Sequence, residues 1–194
     1  MADEHRVFHI YLSIAWLYLV WRFVLPLPVS WAWRSAGAFF LLIVAQYHAL
    51  QILTFGTMFS PEMPRLWIIL FGWAFCSLVL LTVFMLMLDA LNLLMRALPY
   101  GPKRLTTTRS RVIIALLAAP LSGYGVHQAI GAAPVKRVSV VIPDLPAEFE
   151  GLRIVQLSDL HISRLFDASW TGQVVSTTNA LKADLILISG DLID

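Results

Sequence analysis

LWIILFGWAFCSLVLLTVFMLML, residues 66–88, carries no charged side chain. About 20 consecutive, mostly apolar residues are enough for a helix to cross the hydrocarbon core of a bilayer. This stretch therefore predicts a membrane-crossing helix, and the rest of the chain fits that solvent. Of the 194 residues, 59% are hydrophobic and only 13% charged. An ordinary soluble domain has about 45–50% apolar and about 25% charged residues. A chain of this size cannot cover so much apolar surface with a polar shell, so lipid is the expected partner of much of it. The formal net charge of +2, without a basic tail, gives no indication of a nucleic-acid partner. Cys76 is the single cysteine, so no internal disulfide forms.

Three more apolar stretches precede residue 135. They run from Val7 to Leu25, closed by Pro26 and Pro28, from Ala36 to Phe55, and from Val112 to Ile130. The last is the weakest, interrupted by Pro120, Gly123, Gly125 and His127. Together they predict a four-helix transmembrane domain over residues 1–133. The first stretch is not expected to be a cleaved signal peptide. Its MADEHR start carries acids, Arg22 lies within the run, and no small-residue cleavage site follows. Trp31, Trp33, Tyr100 and Tyr124 are placed for the membrane interfaces.

Basic residues set the orientation. Arg96, Lys103, Arg104, Arg109 and Arg111 lie between the third and fourth spans, whereas the preceding loop has only Arg65, beside Glu62. The positive-inside rule puts the Arg96–Arg111 segment in the cytoplasm, in agreement with Arg22 and Arg34, and both termini outside. Lys136 and Arg137, after the last span, weigh against this. Asp89, Asn92 and Arg96 share one helix face and mark the cytoplasmic interface. Gln46, His48 and Gln51 on the second span are read as interhelical hydrogen bonders rather than a polar path.

After Pro134 the pattern changes. Val138, Val140 and Ile142 alternate with Arg137, Ser139 and Val141, as in a half-buried strand, so residues 134–150 read as a linker and first strand. A second strand is expected from Arg153 to Leu157. A helix follows with Trp170, Val174, Val175 and Leu181 on one face, capped by Asp167 or Ser169. Leu185 to Ile188 then reads as a strand buried on both faces. The motif SDLHIS (158–163) follows one strand and SGDLID (189–194) the next. The intervening helix makes a βαβ unit with parallel strands. Asp159 and Asp191 are then expected side by side at the carboxyl edge, where open α/β sheets place their ligands. Two adjacent carboxylates repel unless a cation neutralises them. His161 adds a nitrogen from the same loop, and Gly190 keeps the crowded backbone clear. A mixed oxygen and nitrogen set suits manganese, iron or zinc better than calcium.

A D-x-H motif after one strand and a G-D-x-x-D motif after the next resemble the first two signatures of the calcineurin-like metallophosphoesterases. The pairing with membrane spans resembles their bacterial membrane-anchored members. The resemblance covers residues 151–194 and implies the start of an α/β sandwich. It implies that Asp159 and His161 bind a first metal ion, that Asp191 bridges two ions, and that Asp194 supports the loop by hydrogen bonding. It also implies hydrolysis of phosphate mono- or diesters by metal-activated hydroxide at a two-metal centre, in a multi-pass protein of the bacterial inner membrane; the basic-residue pattern puts the soluble segment outside the cytoplasm. The family's G-N-H-[ED] segment and later histidines do not occur here, so at most one ion is expected to be well held. The chain is expected to be a truncated, inactive fragment. The rival reading makes the bundle a transporter or sensor and the phosphoesterase segment a relic. Substrate and oligomeric state are not legible.

Overall fold

The computed structural model describes residues 2–58, 60–96 and 105–193, with side chains from residue 7 onward. Tyr100, Lys103, Arg104 and Asp194 lie outside the described residues. Contacts gather the chain into two units, residues 1–128 and 129–194.

The first unit is helical. α1 (Ala2–Leu19) runs into a π-helical turn, Val20–Val24. α2 (Trp31–Ala45) and α3 (Tyr47–Phe55) follow, then α4 (Arg65–Arg96) and α5 (Thr108–Ala129). Three helices are long and apolar enough to cross a membrane, and a fourth crossing arises if α2 and α3, bent by 57°, form one span. The second apolar stretch is thus a broken helix, not the continuous one its composition suggests. Gln46 sits at the break, and its amide donates to Ser13 Oγ on α1 at 3.0 Å. Pro120 lies inside α5 without ending it. Beside it, the Trp73 indole of α4 donates to the Ala119 carbonyl at 2.7 Å. Gly123 permits that approach, because a Cβ there would lie 3.3 Å from Trp73 Nε1.

Leu12, Leu19, Val44, Ala45, Leu78, Leu81, Met85 and Ala118 form the packed interior, drawn from α1, α2, α4 and α5. The outside is apolar as well. Trp33, Leu53, Leu93 and Leu116 are among many large apolar side chains left exposed. Contiguous apolar surface on this scale is foreign to water-soluble monomers and ordinary for a lipid-facing bundle.

Charge is handled at one end. Arg22, in the π-turn, meets Asp89 of α4 through Nε (2.8 Å) and through a second contact from Nη2 to Oδ1. Tyr18 Oη donates to the same carboxylate at 2.8 Å and Thr106 Oγ1 at 3.2 Å. Arg111, 3% exposed, donates from Nε to the Arg22 carbonyl at 2.7 Å. The π-turn shifts the regular ladder by one residue, as in the bond from Leu25 N–H to the Val20 carbonyl at 2.9 Å. Asn92 is buried and accepts from the Leu105 N–H at 2.8 Å. Arg22, Arg111, Asp89 and Asn92 therefore brace the helices against one another rather than lying free in loops. They also bring the C-terminal ends of α1 and α4 and the start of α5 to one level. If α1 and α4 each cross the bilayer to reach it, the chain between them crosses back, and the bent α2–α3 pair is the segment available to do so.

In the second unit, β1 (Ile154–Ser158) and β2 (Leu185–Ser189) pair in parallel, with Ile154 opposite Leu185 and Ser158 opposite Ser189. α6 (Ala168–Ala180) connects them, and Asp167 caps it by accepting from Ser169 N–H and Trp170 N–H. Three expectations are corrected. Residues 137–142 form no strand: Val138, Val140 and Ile142 are exposed, and their backbone pairs with no described strand. Leu185, Ile186, Leu187 and Ile188 are exposed rather than buried on both faces, because one helix cannot cover both sides of a sheet. On α6 the shielded row is Trp170, Val174 and Thr178, while Val175 faces outward.

The Arg22–Asp89 pair predicts a specific stability pattern. Breaking a buried ion pair strands one charge, at a cost of about 3 kcal/mol or less for side chains still 23% exposed. Asp89→Leu and Arg22→Leu should each lower the thermal midpoint of the detergent-solubilised chain. The double variant should lie above the worse single variant, as followed by circular dichroism.

Candidate metal centre

The parallel pairing continues past the strand ends, and that continuation builds the site. Beyond Ser158, the Asp159 N–H donates to the Ser189 carbonyl at 3.2 Å, the His161 N–H to the Asp191 carbonyl at 3.0 Å and the Ile162 N–H to the Leu192 carbonyl at 3.0 Å. Ile162 and Ile193 close the ladder as a parallel bridge. The loops SDLHI and SGDLI thus run side by side, and their side chains meet at the carboxyl edge of the sheet. One ligand atom from each of Asp159, His161 and Asp191 lies within 4.8 Å of the others. His161 Nε2 is 4.0 Å from an Asp191 oxygen. The structure therefore brings together the three residues singled out in the sequence.

The backbone is strained where it does this. Asp159 and His161 take φ values of 52° and 45°, in the left-handed region that side chains with a Cβ avoid. Such residues cost about 1–3 kcal/mol each and cluster at functional sites. Gly190 (φ 77°) faces Asp159 from the other loop. A Cβ at Gly190 would sit 2.7 Å from Asp159 Oδ1 and 3.1 Å from its Cγ, so the absent side chain is the space that the carboxylate occupies. Ser163 fixes the far side of the loop, its Oγ donating to the His161 carbonyl at 3.0 Å and its N–H to the Phe166 carbonyl at 3.2 Å. Sequence reasoning did not find the cross-strand bond from Gln156 Nε2 to Ser189 Oγ at 3.0 Å. The clue was a lone amide among the apolar residues of β1, one step from the serine that opens the second motif.

The donor set is chemically suited to one divalent cation. Opposed ligands on such an ion are about 4.0–4.4 Å apart at bond lengths of about 2.0–2.2 Å. A separation of up to 4.8 Å closes by small side-chain rotations, and Asp191, 75% exposed, has room to make them. A cation also removes the mutual repulsion of two carboxylates held this close.

Known proteins extend this picture. A Danio rerio protein named "Transmembrane protein with metallophosphoesterase domain" is 40% identical over 88 residues, 44% of this chain and 20% of that protein. A Bacillus subtilis protein, "Uncharacterized metallophosphoesterase YkuE", is 44% identical over 50 residues, 26% of this chain and 18% of its own length. A Campylobacter jejuni protein, "Uncharacterized metallophosphoesterase Cj0846", is 32% identical over 88 residues, 43% of this chain and 23% of that protein. The chain spans about a fifth of the length of these curated relatives. No family model and no solved structure matches it. The shared sequence nonetheless relates the chain to the metallophosphoesterases.

Proposed function

We propose that this chain is the membrane anchor and opening βαβ segment of a metal-dependent phosphoesterase of the calcineurin-like type, acting on phosphate mono- or diesters. The observation that carries the reading is the convergence of Asp159, His161 and Asp191 at the carboxyl edge of two parallel strands. In this reading residues 1–133 form the transmembrane domain, 134–150 a linker, and 151–194 the start of the phosphoesterase sandwich. Asp159, His161 and Asp191 hold the ion, and Gly190 and Asp194 support the loop around it. Divalent ions of the manganese, iron or zinc type supply Lewis acidity and a nucleophile at neutral pH. The residues themselves fix position: the parallel loops set the spacing of the two carboxylates, and the left-handed backbone at His161 leaves its imidazole Nε2 4.0 Å from an Asp191 oxygen. Three donors hold one ion, and a second ion sharing Asp191 needs donors beyond these three. The setting is the bacterial inner membrane, with the phosphoesterase segment outside the cytoplasm.

The bend between α2 and α3 is the feature most favourable to a transporter or sensor. The Gln46 amide at that bend, however, bonds to Ser13 of α1, which is how packed membrane helices satisfy polar side chains, while Gln51 donates to Tyr47 within α3.

Manganese binding by the purified full chain tests the site. Even the outer partners of metal ligands are worth about 10–100-fold in affinity. Asp159→Ala, His161→Ala and Asp191→Ala should therefore each weaken binding by at least about tenfold, as read by electron paramagnetic resonance of free manganese. Gly190→Ala should do the same without removing a ligand, since its methyl group would displace Asp159; unchanged affinity in all four variants would sink the reading.

With one donor cluster among the described residues, Asp159, His161 and Asp191, the chain should turn over p-nitrophenyl phosphate and its bis-ester slowly or not at all. Robust turnover that vanishes in Asp191→Ala would contradict this. Topology is open to cysteine labelling in a Cys76→Ala background. Ser139→Cys should react with an impermeant reagent from outside and Thr107→Cys should not; the reverse pattern places the phosphoesterase segment in the cytoplasm.

A further inference from the structure

The two loops of the metal centre leave their strands at one pair of residues. Ser158 ends β1, Ser189 ends β2, and the two stand opposite each other. Ser189 is then tethered to the first chain segment twice. Its carbonyl accepts from the Asp159 N–H at 3.2 Å, and its Oγ accepts from the Gln156 amide Nε2 at 3.0 Å. Gln156 pairs with Leu187, so its amide reaches two residues along β2 to find that hydroxyl. Residues two apart on a strand share a face, so Gln156, Ser158, Leu187 and Ser189 lie on one side of the sheet.

Neither side chain needs the other for its own sake. Both are exposed, and water serves an amide or a hydroxyl there about as well. What the bond does is hold Ser189, the residue on which the second loop turns. Gly190 follows at φ 77°, and the place of its missing Cβ is taken by the Asp159 carboxylate, whose Oδ1 lies 2.7 Å from it. Asp191 comes next, with an oxygen 4.0 Å from His161 Nε2. Rotation about the Ser189 backbone would press Gly190 into Asp159 and carry the Asp191 carboxylate away from the imidazole. Of the three ladder bonds past the strand ends, the one from Asp159 N–H to Ser189 is the longest, at 3.2 Å against 3.0 Å for the other two. The Gln156 amide supplies a second tether at that position.

We infer that Gln156 and Ser189 are positioning residues of the metal centre: their side-chain bond sets where Asp159 and Asp191 stand relative to each other, and so tunes cation affinity. This role rests on Asp159, His161 and Asp191 being the ligands proposed above. Outer partners of metal ligands are worth about 10–100-fold in affinity, and a pair that acts through a backbone carbonyl belongs at the low end of that range.

Manganese titration of the full chain in detergent, read by electron paramagnetic resonance of the free ion, tests it. Gln156→Ala and Ser189→Ala should each weaken binding about tenfold. The double variant should bind no more weakly than the worse single one, because the same bond is lost in all three. Ser189→Thr keeps the hydroxyl and should keep most of the affinity. Leu187→Ala trims the same face without touching the bond and should leave the affinity unchanged. Unaltered binding in both single alanine variants, additive losses in the double variant, a loss in Ser189→Thr as large as in Ser189→Ala, or an equal loss in Leu187→Ala would each overturn the positioning role and leave the three ligands standing. Absence of manganese binding by the wild-type chain would instead sink the ligand assignment, and this role with it.

Discussion

Asp89 is the only acid between Glu62 and Asp144, and two arginines, a tyrosine and a threonine are arranged around it or its partner. In a water-soluble protein such a carboxylate would be one charge among many. Here apolar surface surrounds it, and each polar atom without a partner would face lipid. Arg22 spends its donors on Asp89, and its own carbonyl, in a π-turn, is taken by Arg111. Three helices thus share one polar junction, and the same helices pack Leu19, Met85 and Ala118 into one apolar cluster.

The sequence made the membrane helices legible because hydropathy reports the solvent directly. It did not reveal the junction. Arg22 and Arg111 looked like positive-inside loop charges, since a list of residues cannot say that a guanidinium turns inward to meet an acid 67 positions away. The α2–α3 break was hidden for a related reason: Gln46 satisfies the disturbed region through Ser13, a tertiary contact that leaves the apolar pattern intact. The strand expected at 137–142 rested on alternation alone, and alternation does not supply a pairing partner.

The site was more legible, because the spacing inside D-x-H and G-D and the positions of the two motifs after strands are local facts. The ladder of hydrogen bonds past Ser158 and Ser189 was not, nor was the left-handed backbone at Asp159 and His161. Both are properties of two loops together. Gly190 was read as relief of crowding, and the geometry identifies the crowded atoms: Asp159 Oδ1 and Cγ.

Two of the second unit's left-handed residues, Asp159 and His161, and two converging carboxylates leave it paying for its shape within one small sheet whose apolar faces are open. A ligand that binds only the folded form shifts the folding equilibrium by mass action, by about 2.7 kcal/mol at a hundredfold excess over its dissociation constant. For so small a sheet that is a substantial part of the stability a domain possesses. If the proposed site holds a cation, cation concentration becomes a thermodynamic variable of the fold itself: a chelator would act on this segment as a denaturant does, loosening the βαβ unit while the helices of the first unit stay intact.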